Sequence, residues 1–118
     1  MSELRRGMLI DINLEPTKGS ETGKIRPCVI VTNNTYNARV PVIQVVPVTA
    51  WSARKARIIT NVEIVPSARN GLTKKSVADC LQTRPIDHRT RLVNVRGELE
   101  NEIMAKIDDA LRIVFDLV

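Results

Sequence analysis

The sequence predicts a small β-barrel or sandwich that carries one C-terminal helix. Three observations lead there. Val and Ile number 26 among 118 residues, and 21 of them lie before residue 97, the β-branched enrichment typical of strands. The apolar runs in that part are short and broken at close intervals by Pro, Gly and Asn, as in small all-β proteins. Past residue 97 the apolar spacing changes to three- and four-residue steps, the period of a helix face.

Strands are expected at about 7–13, 27–32, 41–48, 58–65 and 76–82, with a short one at 92–95. Pro27-Cys28-Val29-Ile30-Val31 is a continuous apolar run, the pattern of a strand buried on both faces. Residues 41–48 are β-branched at five positions. Arg57-Ile58-Ile59-Thr60-Asn61-Val62-Glu63-Ile64 alternates after its start, as a half-exposed strand does. Two connections stand out. Residues 14–26 form a link longer than a hairpin needs, and loops above about 12 residues are usually functional or disordered. Residues 50–57, Ala-Trp-Ser-Ala-Arg-Lys-Ala-Arg, set one Trp beside three cations. At the C-terminus Leu99, Ile103, Ile107, Ala110, Leu111 and Val114 define one apolar stripe. Glu100, Asn101 and Glu102 suit the positive end of a helix dipole. The chain therefore reads as one domain, 1–118, with a barrel over about 5–96 and a helix over about 100–115.

Charge is unevenly placed. The net charge is +5, but residues 1–96 hold +9 and residues 97–118 hold −4. A basic body points to a polyanionic partner, and the acidic part reads as the outer face of the terminal helix. Composition excludes several classes. No apolar run approaches the roughly 18–20 residues that span a membrane, and the N-terminus reads as no signal peptide, so a cytoplasmic location and no membrane association are expected. Cys28 and Cys80 alone make neither a disulfide framework nor a zinc site. One histidine, His88, excludes a paired-histidine nuclease within one chain; it lies among charged residues and is expected on the surface. Tyr36, Trp51 and Phe115 are the aromatic residues, too few for a row of stacking platforms. No metal or other cofactor is expected.

Three segments carry candidate chemistry. In Gly19-Ser20-Glu21-x4-Arg26-Pro27 an Arg opens an apolar strand. The residue before Pro is held extended, so Arg26 can present its planar fork to a phosphate. In Val46-Pro47-Val48-Thr49 a strand-end Thr offers a hydroxyl to an anionic oxygen. In Ser76-Val77-Ala78-Asp79-Cys80-Leu81-Gln82 the last residue brings a donor and an acceptor to a groove.

These pieces resemble the MazF/PemK-type toxins of type II toxin–antitoxin systems. Residues 6–32 are similar to the opening of that family: a Gly, a short strand ending in Asp or Asn, an acidic-Pro pair, Gly-Ser-Glu, and Arg-Pro before an apolar strand. Val45-Val46-Pro47-Val48-Thr49, Asn61-Val62-Glu63-Ile64, Gly71-Leu72, Ser76-Val77, Gln82-Thr83-Arg84-Pro85-Ile86-Asp87 and the terminal helix follow in the family's order.

The resemblance implies an SH3-like β-barrel of the CcdB/PemK type with a C-terminal helix, working as a homodimer. It implies sequence-specific, metal-independent cleavage of single-stranded RNA, mRNA above all. The 2′-hydroxyl would attack the adjacent phosphorus and leave a 2′,3′-cyclic phosphate and a 5′-hydroxyl. It also implies a cognate, MazE-like antitoxin protein seated in the RNA groove. By the same resemblance Arg26 matches the catalytic Arg, Thr49 the Thr at the scissile phosphate, and Glu21 the acidic residue of the neighbouring loop. Lys18, Ser20, Lys24, Trp51, Ser52, Arg54, Lys55, Asn61 and Gln82 are the expected RNA contacts. Met8 stands where an Asp often follows the Gly, and Leu81 where many members carry an acid before the Gln, so a mechanism using that acid is not the pattern here. Arg keeps its proton, so Arg26 is expected to stabilise charge on the phosphorane, with proton donation to the leaving oxygen as a second role. Glu21 is the acid nearest in sequence, a candidate base or orienting partner for Arg26.

Two rival readings use the same chain. One is a non-catalytic toxin of this fold that inhibits a protein such as DNA gyrase, supported by analogy of fold. The other is a silent nucleic-acid-binding barrel, which the +9 body permits and the scarcity of aromatics disfavours.

Overall fold

The structure, a computed structural model, describes residues 3–118. Its elements run β1 (Met8–Asn13), β2 (Ile25–Ile30), α1 (Asn34–Arg39), β3 (Val42–Ala50), α2 (Ala53–Ala56), β4 (Asn61–Ile64), β5 (Ser76–Asp79), a 3-10 turn (Cys80–Gln82), β6 (Arg84–Asp87), α3 (His88–Arg91), β7 (Leu92–Glu98) and α4 (Asn101–Phe115). All strand pairs are antiparallel, in the order β4-β5-β3-β2-β1-β7, with β6 also on β3.

Strand β3 organises the molecule. Its first half, Val42–Val45, pairs with β6, and its end, Val48–Ala50, pairs with β5. Along its other edge Val45–Pro47 pairs with β2. One strand thus belongs to two sheets, and the fold curves around it. The period-2 alternation of strands sends side chains to two cores. Ile10, Ile12, Cys28, Ile30, Ile43, Val45 and Ile86 share one apolar cluster. Leu9, Val29, Val46 and Val48 face the other, with Val62, Ile64, Leu99, Met104 and Ile107. This two-sided burial is why β2 reads as an unbroken apolar run; each fully buried Leu or Ile contributes about 1.5–3 kcal/mol. Burial in an apolar setting pushes the Cys28 and Cys80 thiols up to about 12, which leaves both unreactive.

The C-terminal stripe forms α4, whose Met104, Ile107 and Ala110 enter the second core. Its end closes on Asp116, in the left-handed region at φ 54°, with Leu117 N donating to Arg112 O at 2.8 Å, a helix-terminating arrangement that satisfies late carbonyls. Arg6 ties the start of the chain to α4 by pairing with Asp108, and its Nε donates to Val31 O at 2.9 Å. Gly97 is required where β7 passes the Ser67–Asn70 turn: a Cβ there would collide with the Arg69 carbonyl. No helix among the described residues is long and apolar enough to cross a membrane.

Several boundaries differ from expectation. Residues 58–60 form a turn with Ile58 and Ile59 exposed, so β4 starts at Asn61. The expected strand 76–82 stops at Asp79 and tightens into the 3-10 turn. The short strand at 92–95 extends to Glu98. Strand β6 was not expected, because Arg84-Pro85-Ile86-Asp87 buries a single apolar side chain and contains a Pro, which confines it to pairing on one side. The three short helices rest on caps: Asn33, Ser52 and Asp87 each accept a backbone N–H at an N-terminus.

Candidate active site

In the β2–β3 register Cys28 faces Pro47. Just beyond that pairing lie Arg26 on β2 and Thr49 near the end of β3. They line a cleft of about 200 Å³ together with Thr73, Lys74, Ser76 and Arg96. Arg26 is half-buried, and its Nε donates to Gly23 O at 3.1 Å. That bond fixes the guanidinium by one nitrogen, and its other N–H groups make no protein hydrogen bond among the described residues. Thr49 is half-buried too, and its Oγ1 accepts from Lys55 Nζ at 3.2 Å. The same ammonium donates to Ala50 O at 3.0 Å. The turn that supplies Lys55 is fixed at both ends: Ser52 Oγ accepts from Lys55 N at 3.1 Å, and Asn61 Nδ2 donates to Lys55 O at 3.0 Å.

A second cleft, about 400 Å³, lies between the first long loop and the 3-10 turn, lined by Glu21, Thr22, Gln82 and Arg84 among others. Gln82 pins this loop, accepting from Thr22 N at 3.2 Å and donating to Ser20 O at 3.3 Å. Glu21 Oε1 accepts from Lys18 N at 2.7 Å, closing a turn within the loop. At the loop base Glu15 accepts from Lys24 N at 2.6 Å and Thr17 Oγ1 at 3.3 Å. These bonds, the Lys24 amide foremost, hold the Glu15 carboxyl below its usual pKa. Arg84 donates to Leu14 O at 3.0 Å, and Arg91 to Glu15 O at 2.7 Å and Asn13 O at 2.9 Å.

The structure therefore brings Arg26, Thr49 and Lys55 together, and separately Glu21, Ser20 and Gln82. Lys18, Lys24 and Arg54 are exposed, and Ser52 serves as a helix cap. Trp51 is held at the surface: its Nε1 donates to Glu63, and Lys75 Nζ sits 4.4 Å from its ring centroid, a cation–π contact over one face. Asn61 lines a groove against α4, with Lys106, Asp109 and Ile113. His88 is half-buried and borders a cleft with Arg39 and Arg89.

Sequence reading missed three participants. Arg96 reaches the first cleft from β7, with its Nε on Asp11 Oδ1 at 2.7 Å and Nη1 on Gly71 O at 3.1 Å. Lys74 borders that cleft as an exposed cation; the Lys74-Lys75 pair before β5 was the signal for it. Asp79 is half-buried near Lys55, and burial raises its carboxyl pKa against the opposing pull of the Gln82 and Leu81 amides and of Lys55. Among the described residues no group of three or more His, Cys, Asp or Glu is placed to hold a metal ion.

Comparison with known proteins covers nearly the whole chain. Residues 5–115 match the family described as PemK-like, MazF-like toxin of type II toxin–antitoxin system. Endoribonuclease EndoA of Bacillus subtilis (strain 168) is 36% identical over 115 residues, 98% of this chain and 97% of that protein. Among solved structures, MazF from Deinococcus radiodurans superposes with a TM-score of 0.84 at 22% identity, covering 98% of this chain and 99% of that one. An endoribonuclease from a mycobacterial species in complex with its cognate antitoxin gives a TM-score of 0.76 at 23% identity, covering 98% of this chain and 97% of that one. The fold is thus the mainly antiparallel, barrel-like CcdB/PemK type with a C-terminal helix. With the ordered motifs, the Arg26–Thr49 cleft and a relative of this identity all in agreement, the chain belongs to the PemK-like, MazF-like toxins of type II toxin–antitoxin systems.

Proposed function

We propose that this chain is a toxin endoribonuclease, an mRNA interferase that cuts single-stranded RNA at a specific sequence without a metal ion. The observation that carries this is the cleft that Arg26 of β2 and Thr49 of β3 line together. The name of the Bacillus relative agrees with it.

The chemistry follows from the groups in the cleft. The RNA 2′-oxygen attacks the adjacent phosphorus and gives up its proton; the P–O5′ bond breaks and the 5′-oxygen gains one. The products are a 2′,3′-cyclic phosphate and a 5′-hydroxyl. Arg26, anchored through Nε, directs its remaining N–H groups at the phosphorane oxygens, where preorganised donors act most strongly. Thr49 adds a hydroxyl donor to a non-bridging oxygen. Glu21 is the candidate proton acceptor: its Oε1 accepts from Lys18 N, and the other carboxylate oxygen is available to a proton. Lys18, Ser20, Lys24, Trp51, Ser52, Arg54, Asn61 and Gln82 form the expected groove lining, with affinity that falls as salt rises. Two copies facing each other complete the groove in the cytoplasm, and an acidic segment of an antitoxin occupies the same basic surface.

The test is Arg26→Ala, assayed on a long RNA of mixed sequence with end mapping. Cleavage should fall by about 100- to 1,000-fold or more, the scale of one lost transition-state donor, with the circular-dichroism spectrum unchanged. The wild type should keep full activity in EDTA. A wild-type protein that yields no 5′-hydroxyl ends would replace this reading with a non-catalytic toxin.

A further inference from the structure

We propose that Lys55 is a positioning residue for the cleavage reaction: by donating to Thr49 Oγ1 it turns the threonine's own proton into the cleft and makes Thr49 a donor to the scissile phosphate. This rests on the ribonuclease reading above and gives Lys55 a task different from direct contact with RNA.

The argument is one of hydrogen-bond polarity. An ammonium group has three donors and no acceptor, while a hydroxyl has one donor and two lone pairs. At 3.2 Å between Lys55 Nζ and Thr49 Oγ1, Thr49 must therefore be the acceptor. Its single O–H is left to donate elsewhere. The Ala50 carbonyl beside it is already taken by the same ammonium at 3.0 Å, and Thr49 makes no donor bond among the described residues. The open direction is the cleft, where Arg26 stands opposite. An oxygen that accepts from a cation is polarised, so the proton it donates is more strongly acidic as a donor.

The placement of Lys55 fits that task. Two of its three ammonium hydrogens are occupied by Thr49 and Ala50, and the residue is half-buried, whereas Arg54 and Arg57 on the same turn are exposed. Its backbone is fixed twice, by the Ser52 cap and by Asn61. Asp79 lies close enough to act on its charge. A cation meant to track an RNA backbone needs a mobile arm and several free donors, whereas Lys55 is held at its backbone and has a single ammonium hydrogen left over.

A double-mutant cycle tests this, using purified wild type, Lys55→Met, Thr49→Val and the double variant under single-turnover conditions. Lys55→Met should slow cleavage by about 10- to 100-fold, the worth of a charge-assisted hydrogen bond, while RNA affinity changes by less than about 3-fold. In the Thr49→Val background the same change should have almost no effect, because the hydroxyl it orients is gone. Lys55→Arg, which keeps donors and charge, should recover most of the rate. Should Lys55→Met fail to fold, Lys55→Gln replaces it, since its amide is one atom too short to reach Oγ1. Equal losses in both backgrounds, a loss confined to affinity, or a Thr49→Val variant that cuts at the wild-type rate would overturn the positioning role while leaving the ribonuclease reading standing. A wild type that does not cut RNA would overturn both.

Discussion

Residues 14–24 lead into β2 and residues 51–60 leave β3, and the two connections are held by different chemistry. The first segment has no helix or strand, and side chains from distant parts of the chain restrain its backbone: Arg84 and Arg91 grip its base and Gln82 its tip. The second folds into a one-turn helix with a local cap at Ser52, and sends one side chain, Lys55, into the site. The long loop satisfies some of its backbone groups itself, as at Lys18 and Lys24, and takes partners for others from β6 and α3. A short one can close a helical turn on itself. The practical difference is that the first loop depends on the tertiary fold being complete, whereas the second carries its order in its own sequence.

Three measurements act on that contrast. The largest effect is expected from Arg84→Met, which leaves the Leu14 carbonyl without its donor and should cost about 1–3 kcal/mol. Urea denaturation should show the loss, and limited proteolysis should cut within 14–24 while sparing 53–56. Equal cutting of both segments would show that they are one cooperative unit. Next, Ser52→Ala removes a helix cap worth about 1 kcal/mol. Amide exchange should rise at Lys55 and Ala56 with no change at Lys24, and cleavage should fall because Lys55 loses its fixed base. The smallest effect is expected from acid. The folded pKa of Glu15 lies below its ordinary value of 4.5, so its contribution is complete above that pH and fades as the pH drops through the depressed value. Protection of the Lys24 amide should therefore weaken as the pH is taken progressively below 4.5, whereas α2, capped by a hydroxyl, should not respond. Lys24 protection that acid never weakens before the chain unfolds would remove Glu15 from the account.

Much of the fold could be read from residue order because its rules are local. The Pro27–Val31 run announced a strand buried on both faces, and the spacing of Leu99 to Val114 announced α4. Long-range pairing was harder. Arg84–Asp87 lacks a strand pattern because a single residue, Ile86, enters the core. At the candidate site, Arg26 and Thr49 were legible as groups at the start of one strand and the end of another, and the pairing of those strands brings them to one cleft. Arg96 was not legible, since nothing near it in sequence marks a side chain that reaches Asp11 and Gly71 from another strand. Nor does composition reveal which cation in Arg54-Lys55-Ala56-Arg57 turns inward; that depends on the helical turn that Ser52 starts.

The helix α4 follows all seven strands in the described chain, and it supplies Met104, Ile107 and Ala110 to one of the two cores. Without α4, the core that Leu9, Val29, Val46 and Val48 share with Val62 and Ile64 lacks one wall, and β2 and β3 are packed more loosely on that side. The Arg26–Thr49 cleft is built on those two strands, so a helix that touches neither residue steadies the geometry of the candidate site.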